Sequence, residues 1–121
     1  NNVVNIRSHD RACGFLEFEK ARVRWFLSIN KNLLPTHVKK AGQTTFRSIK
    51  INNDELEFSD GFKDLHTEVY REILNDSGAS LSDARSSIEI VHQIRKMKQV
   101  GLKGDYHPLG KEKLSKHPFI K

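Results

Sequence analysis

Hydrophobic residues in this chain recur at every second position up to Gly61 and at every third or fourth position after it. That change of period confines strands to the first half and helices to the second, because strand side chains alternate faces while helical ones return every 3.6 residues. Gly14–Glu19 and Arg22–Ile29 read as strands joined at Lys20-Ala21. This register sets Glu19 against Arg22, Glu17 against Arg24 and Phe15 against Phe26 on a mixed face. It sets Phe18 against Val23 and Leu16 against Trp25 on an apolar face, extended by Leu27 and Ile29 and expected to be core. A second hairpin is expected from Thr45–Ile51 and Leu56–Ser59 around Asn52-Asn53-Asp54-Glu55, with Ile51 opposite Leu56. Val3–Ile6 adds a further strand, and Asn30–Gly42 reads as a connecting loop.

Past Gly61, Phe62, Leu65, Val69 and Ile73 fall on one helical face, with Asp64 near the positive end of the dipole and Asp76-Ser77-Gly78 as the stop. A second helix is expected from Ser82-Asp83 to about Lys98, capped by Ser82, with Ala84, Ile88, Val91 and Ile94 or Arg95 along one side. Strands followed by helices predict an α+β domain: an antiparallel or mixed sheet with two main helices packed on one face. The 121 residues suit a single domain, 1–121, with 103–121 as an extended basic tail carrying two echoes, Tyr106-His107-Pro108-Leu109 and Lys116-His117-Pro118-Phe119.

Composition narrows the function classes. With 36% hydrophobic and 30% charged residues the chain can bury a core, and no apolar run approaches the roughly 20 residues of a membrane span. Cys13, the only cysteine, excludes an internal disulfide and a thiolate metal cage, so a reducing compartment, the cytoplasm, is expected. The net charge of +6 raises nucleic acid as a partner. Its distribution argues against it: Lys103, Lys111, Lys113, Lys116 and Lys121 against Asp105 and Glu112 give +3 in the tail, and elsewhere the signs mostly alternate. A modest positive field also suits an anionic sugar nucleotide.

Gly-x-Gly-x-x-Gly, a Walker loop, a His-Glu-x-x-His helix and a Gly-x-Ser-x-Gly elbow are all missing from the sequence, and the six histidines are scattered. Cofactor-binding, metal-binding and catalytic residues are therefore not expected in it. Four residues are candidates for contact with an anionic substrate. Arg22 and Arg24 share a strand face, where guanidinium could grip carboxylate or phosphate, although pairing with Glu17 and Glu19 explains them more simply. Arg47 places a charge at the edge of an apolar face, with Asp60 as its expected partner and substrate as the alternative. His66 lies one turn into its helix between Leu65 and Val69, where an internal hydrogen bond competes with a contact across a cleft. Trp25 and Tyr70 read as structural, and Cys13 as an inert buried thiol.

Taken in order, four segments resemble one family. They are Ala21-Arg22-Val23-Arg24-Trp25-Phe26-Leu27-Ser28, the run Ser59-Asp60-Gly61-Phe62-Lys63-Asp64-Leu65-His66-Thr67-Glu68-Val69-Tyr70, the run from Asp83-Ala84-Arg85 to Gln93-Ile94-Arg95, and Gly104-Asp105-Tyr106-His107-Pro108. Together they resemble the carboxyl-terminal substrate domain of nucleotide-sugar dehydrogenases in the Gfo/Idh/MocA oxidoreductase family, nearest those acting on UDP-N-acetylglucosaminuronic acid in lipopolysaccharide synthesis. Such relatives carry a glycine-rich cofactor turn, a Glu-Lys-Pro lysine and an Asp-x-x-x-His pair ahead of the matching region, none of which has a counterpart here. Asp60 and His66 align instead with the later helix. The resemblance therefore implies part of an NAD-dependent enzyme, inactive in hydride transfer by itself. Its implied partners are an amino-terminal dinucleotide-binding domain, a UDP-sugar and further copies of itself through the mixed sheet face bearing Phe15 and Phe26. A free-standing α+β binding or dimerisation module for an acidic ligand or nucleic acid is the competing expectation.

Overall fold

The computed structural model describes residues 1–61 and 63–116. The fold is α+β with antiparallel sheets. Where one core was expected, the chain divides into two compact units: Asn1–Leu33 with the described residues from Ser86 onward, and Leu34–Arg85.

The first unit is built on a three-stranded antiparallel sheet of β1 (Asn2–Arg7), β2 (Arg11–Glu17) and β3 (Arg22–Ser28), with β2 in the centre. The β2–β3 turn sits on Glu19-Lys20, not Lys20-Ala21: the Phe18 N–H donates to the Ala21 carbonyl at 2.8 Å. Moving the turn by one residue moves every pair by two, so Glu17 faces Arg22, Phe15 faces Arg24, Gly14 faces Trp25 and Cys13 faces Phe26. A shift of two preserves the faces, since side chains alternate with period two. Gly14 is fixed by this register. A Cβ there would lie 2.2 Å from the Val3 carbonyl oxygen and 2.5 Å from the Trp25 ring.

In β1, a bulge between Val4 and Ile6 frees Asn5, which is fully buried. Its Nδ2 donates to the carbonyls of Gly101 (3.0 Å) and Lys103 (3.2 Å), while the N–H groups of Val100 and Gly101 donate to the carbonyls of Val4 and Asn5. The chain thus covers part of its own sheet edge.

The mixed face, expected to be free for assembly, is the one the chain covers itself. The segment after Gly101 crosses it: His107 stacks on Phe26 with centroids 5.2 Å apart, Asp105 pairs with Arg24 at 3.4 Å, and Gly110 is buried close to Cys13 and Leu102. A short 3-10 turn, Pro108–Lys111, holds this segment, with the His107 side chain accepting from the Leu109 N–H. Residues 103–116 are therefore docked, which corrects the expected extended tail. The second echo, from His117 on, lies outside the described residues. Conversely the apolar face expected to be core leaves Phe18 and Val23 exposed and Leu27 67% exposed.

Helix α3 (Leu81–Lys96) begins with Ser80, not Ser82, as its cap. Ser80 Oγ accepts from the Asp83 N–H at 3.3 Å, and the Asp83 carboxylate accepts from the Ser80 N–H at 2.8 Å, a reciprocal capping box. Arg7 closes the other end by donating to the carbonyls of Ile94 and Arg95 at 3.0 and 2.8 Å. Ile90, Ile94 and Met97 are half-buried, whereas Ile88 and Val91 remain exposed. The expected stripe of α3 is rotated.

The second unit holds a five-residue helix α1 (Thr36–Lys40) where a loop was expected, the hairpin β4 (Ser48–Ile51) and β5 (Asp54–Glu57), and helix α2 (Leu65–Leu74). The hairpin turn tightens to Asn52-Asn53, with Asn52 at φ 55°, a conformation asparagine tolerates. Ile51 consequently faces Asp54 and Ile49 faces Leu56. The stripe of α2 is exposed at Leu65, Val69 and Ile73; Phe62, expected to begin it, lies outside the described residues.

Candidate functional site

The four arginine and histidine candidates fall into different environments. Arg22 pairs with Glu17 at 3.1 Å on an exposed strand face, and Arg24 with Asp105. Both guanidinium groups are engaged within the first unit. His66 lies exposed in the first turn of α2.

Arg47 borders a groove. Its backbone N–H donates to Ser59 Oγ at 2.8 Å and its Nη1 to the Ser59 carbonyl at 3.2 Å, while the Phe58 N–H donates to the Arg47 carbonyl at 2.9 Å. These bonds continue the β4–β5 ladder by one step and aim the arginine along the open end of the hairpin. Asp60, its expected partner, pairs with Lys63 at 3.2 Å. The groove is about 320 Å³, lined by Gly42, Gln43, Thr44, Thr45, Arg47, Ser59 and Asp60. Amide, hydroxyl and guanidinium donors around a shallow polar depression can hold an oxyanion and leave its remaining oxygens in water. The run Gly42-Gln43-Thr44-Thr45 carries no periodicity, and its polar composition was the only signal of it in the sequence.

A second cluster lies in the first unit and went unread in the sequence. Arg11 Nε and Nη2 grip both oxygens of Asp10 at 3.0 and 3.2 Å, and its Nη1 and Nη2 donate to the carbonyls of Glu112 and Lys113 at 2.6 Å each. Asp10 also accepts from Asn30 Nδ2 at 3.0 Å and Ser115 Oγ at 2.9 Å. Arg11 holds the Asp10 carboxyl far below the usual carboxylate range, overcoming the opposing effect of burial. These bonds make a clasp joining the β1–β2 turn, the end of β3 and residues 112–115.

A pyrophosphate needs free amides at a helix amino terminus; at the start of α3 Ser80 and Asp83 occupy them, and the acidic Asp64 stands at the start of α2. Among the described residues no group of three His, Cys, Asp or Glu side chains is placed to hold a metal ion. Cys13 is buried, and burial pushes its thiol up, away from the reactive thiolate. No helix among the described residues is long and apolar enough to cross a membrane.

No family model matches the chain. Solved structures do, among them two of the WlbA (WbpB) dehydrogenase from Thermus thermophilus. The complex with NAD and alpha-ketoglutarate has a TM-score of 0.83 and 39% identity over 90% of this chain. The complex with NAD and UDP-GlcNAcA has a TM-score of 0.83 and 38% identity over 90%. The chain spans 36% and 35% of those two structures, about a third of the dehydrogenase it resembles in both fold and sequence.

Proposed function

We propose that this chain is the carboxyl-terminal, substrate-side domain of an NAD-dependent nucleotide-sugar dehydrogenase of the Gfo/Idh/MocA family, acting in the cytoplasm on a UDP-N-acetylglucosaminuronic acid-like sugar in lipopolysaccharide or O-antigen synthesis. The observation that carries the reading is 39% identity, held over 90% of the chain, with a dehydrogenase solved in complex with NAD and, separately, with NAD and UDP-GlcNAcA.

In this reading NAD supplies the hydride acceptor and is held by the cofactor-binding portion of the enzyme; no residue of this chain is assigned to it. The chain's own contribution is recognition. Arg47 with Gln43, Thr44, Thr45 and Ser59 forms the seat for the uronate or a phosphate, since these donors line one groove. Arg22 and Arg24 are assigned to the fold, with Glu17 and Asp105 as their partners. His66, exposed at the start of α2, is assigned to the border with the cofactor-binding portion.

Titration followed by amide chemical shifts tests this. UDP-N-acetylglucosaminuronic acid should perturb Gln43–Arg47 and Ser59–Asp60, NAD alone should not, and Arg47→Ala should weaken the sugar nucleotide by about tenfold, the value of one charge-assisted bond. Salt-sensitive binding of a nucleic-acid duplex, with no response to the sugar nucleotide, would assign the chain to the competing class of binding modules.

A further inference from the structure

The unit Leu34–Arg85 buries little apolar side-chain surface among its described residues. Among its described residues Val38 is the one buried hydrophobic side chain. Ile49, Ile51 and Leu56 of the hairpin are exposed, as are Leu65, Val69 and Ile73 of α2, the last two at 46% and 55%. An isolated two-stranded hairpin is at best marginal in water, and so is a helix of ten residues. Yet the apolar residues of α2 are spaced four apart on one stripe, the pattern of a helix made to be covered.

We infer that the stripe Leu65, Val69 and Ile73 is the docking surface for the cofactor-binding portion of the same dehydrogenase, which completes this unit's core. The inference rests on the dehydrogenase reading and extends it to a surface. Two considerations select that occupant over a second copy. The solved relative devotes 36% of its chain to the region matched here, so most of its chain remains to supply a cover. Hydride transfer also requires the sugar carbon to approach the nicotinamide to about 3–3.5 Å. A sugar seated at the Arg47 groove, in this same unit, meets that demand only if this unit abuts the cofactor.

Hydrogen exchange separates the outcomes. In the 121-residue chain alone, amides of β4, β5 and α2 should exchange at least about tenfold faster than those of β1–β3, reflecting low local stability. In a chimera carrying this chain in place of the matched part of the Thermus thermophilus enzyme, exchange over Leu65–Leu74 should slow by a similar factor. Val69→Glu should abolish that gain, whereas Leu27→Glu, in the other unit, should leave it intact. Equal protection of both units in a monomeric chain overturns the proposal, as does a chimera without gain in α2. Protection that rises with the concentration of the chain alone overturns the choice of occupant in favour of a second copy. A chimera in which α2 is protected but the Arg47 groove ignores the sugar nucleotide fails the substrate reading and leaves the docking surface standing.

Discussion

Replacing Asp10 with Asn probes the one place among the described residues where charged side chains are buried. The substitution keeps the side chain's shape and one acceptor oxygen but turns the other into a donor. Oδ2 accepts from Arg11 Nη2, Asn30 Nδ2 and both the N–H and Oγ of Ser115, and Oδ1 accepts from Arg11 Nε and Ser8 Oγ, so at least two bonds lose their acceptor whichever way the amide turns. Arg11 keeps the carbonyls of Glu112 and Lys113 but loses its counter-charge while nearly fully buried. Leaving one partner of such a pair costs about 3–5 kcal/mol. With a urea slope of about 2 kcal/mol per molar, the unfolding midpoint should fall by about 2 M. The only tryptophan, Trp25, lies in the same unit, so its fluorescence reports the transition. The pH dependence gives a second readout. The folded carboxyl of Asp10 sits below its unfolded value of about 3.9, so its contribution is complete above that value and is lost as pH falls through and below it. Asp10→Asn should therefore flatten acid unfolding below about pH 4, and adding Arg11→Met should recover part of the lost stability. An unchanged midpoint together with an unchanged acid limb would refute the assignment of the clasp as a tie between sheet and carboxyl-terminal segment.

Two further changes act on the same unit. Gly14→Ala places a methyl group against a backbone oxygen and the Trp25 ring, neither of which can step aside, and should cost about 3 kcal/mol in the same urea assay. His107, half-buried on Phe26 and near Arg24, has its folded pKa pushed down by burial first and by the Arg24 charge second. Its stabilising contribution is therefore full above the unfolded value of about 6.5 and declines as pH falls below it. Protonation at Nδ1 would also remove the acceptor for the Leu109 N–H. His107→Phe, which retains a stacked ring, should reduce the loss of stability as pH falls below about 6.5, measured by urea midpoints at each pH.

Local pattern carried the elements, and long-range contacts decided their use. Both hairpins were legible because alternation and turn residues are local properties, and both turns moved alike, to a loop centre one residue earlier than expected. That error shifts pairs by two and leaves every side chain on its face, so the mixed and apolar sets of β2 and β3 were read correctly even though the partners were not. Which face would be covered was a different question. Phe18, Val23 and Leu27 promised a core by hydrophobicity alone, yet the chain lays its carboxyl-terminal segment on the other face, where Phe26, Arg24 and Cys13 meet His107, Asp105 and Gly110. Those contacts join residues about 80 to 100 positions apart, and no window of sequence contains both partners. The Asp10–Arg11 clasp escaped for the same reason: an acid beside a base looks like a solvated turn until Glu112, Lys113 and Ser115 arrive to enclose it. The candidate site was legible only at Arg47, whose charge broke an apolar parity; the hydroxyls and amide around it come from a run with no periodicity to betray it. A sequence read by period alone therefore finds the strands and helices of this domain but not which sheet face the carboxyl-terminal segment covers, because that segment arrives from outside any window of sequence.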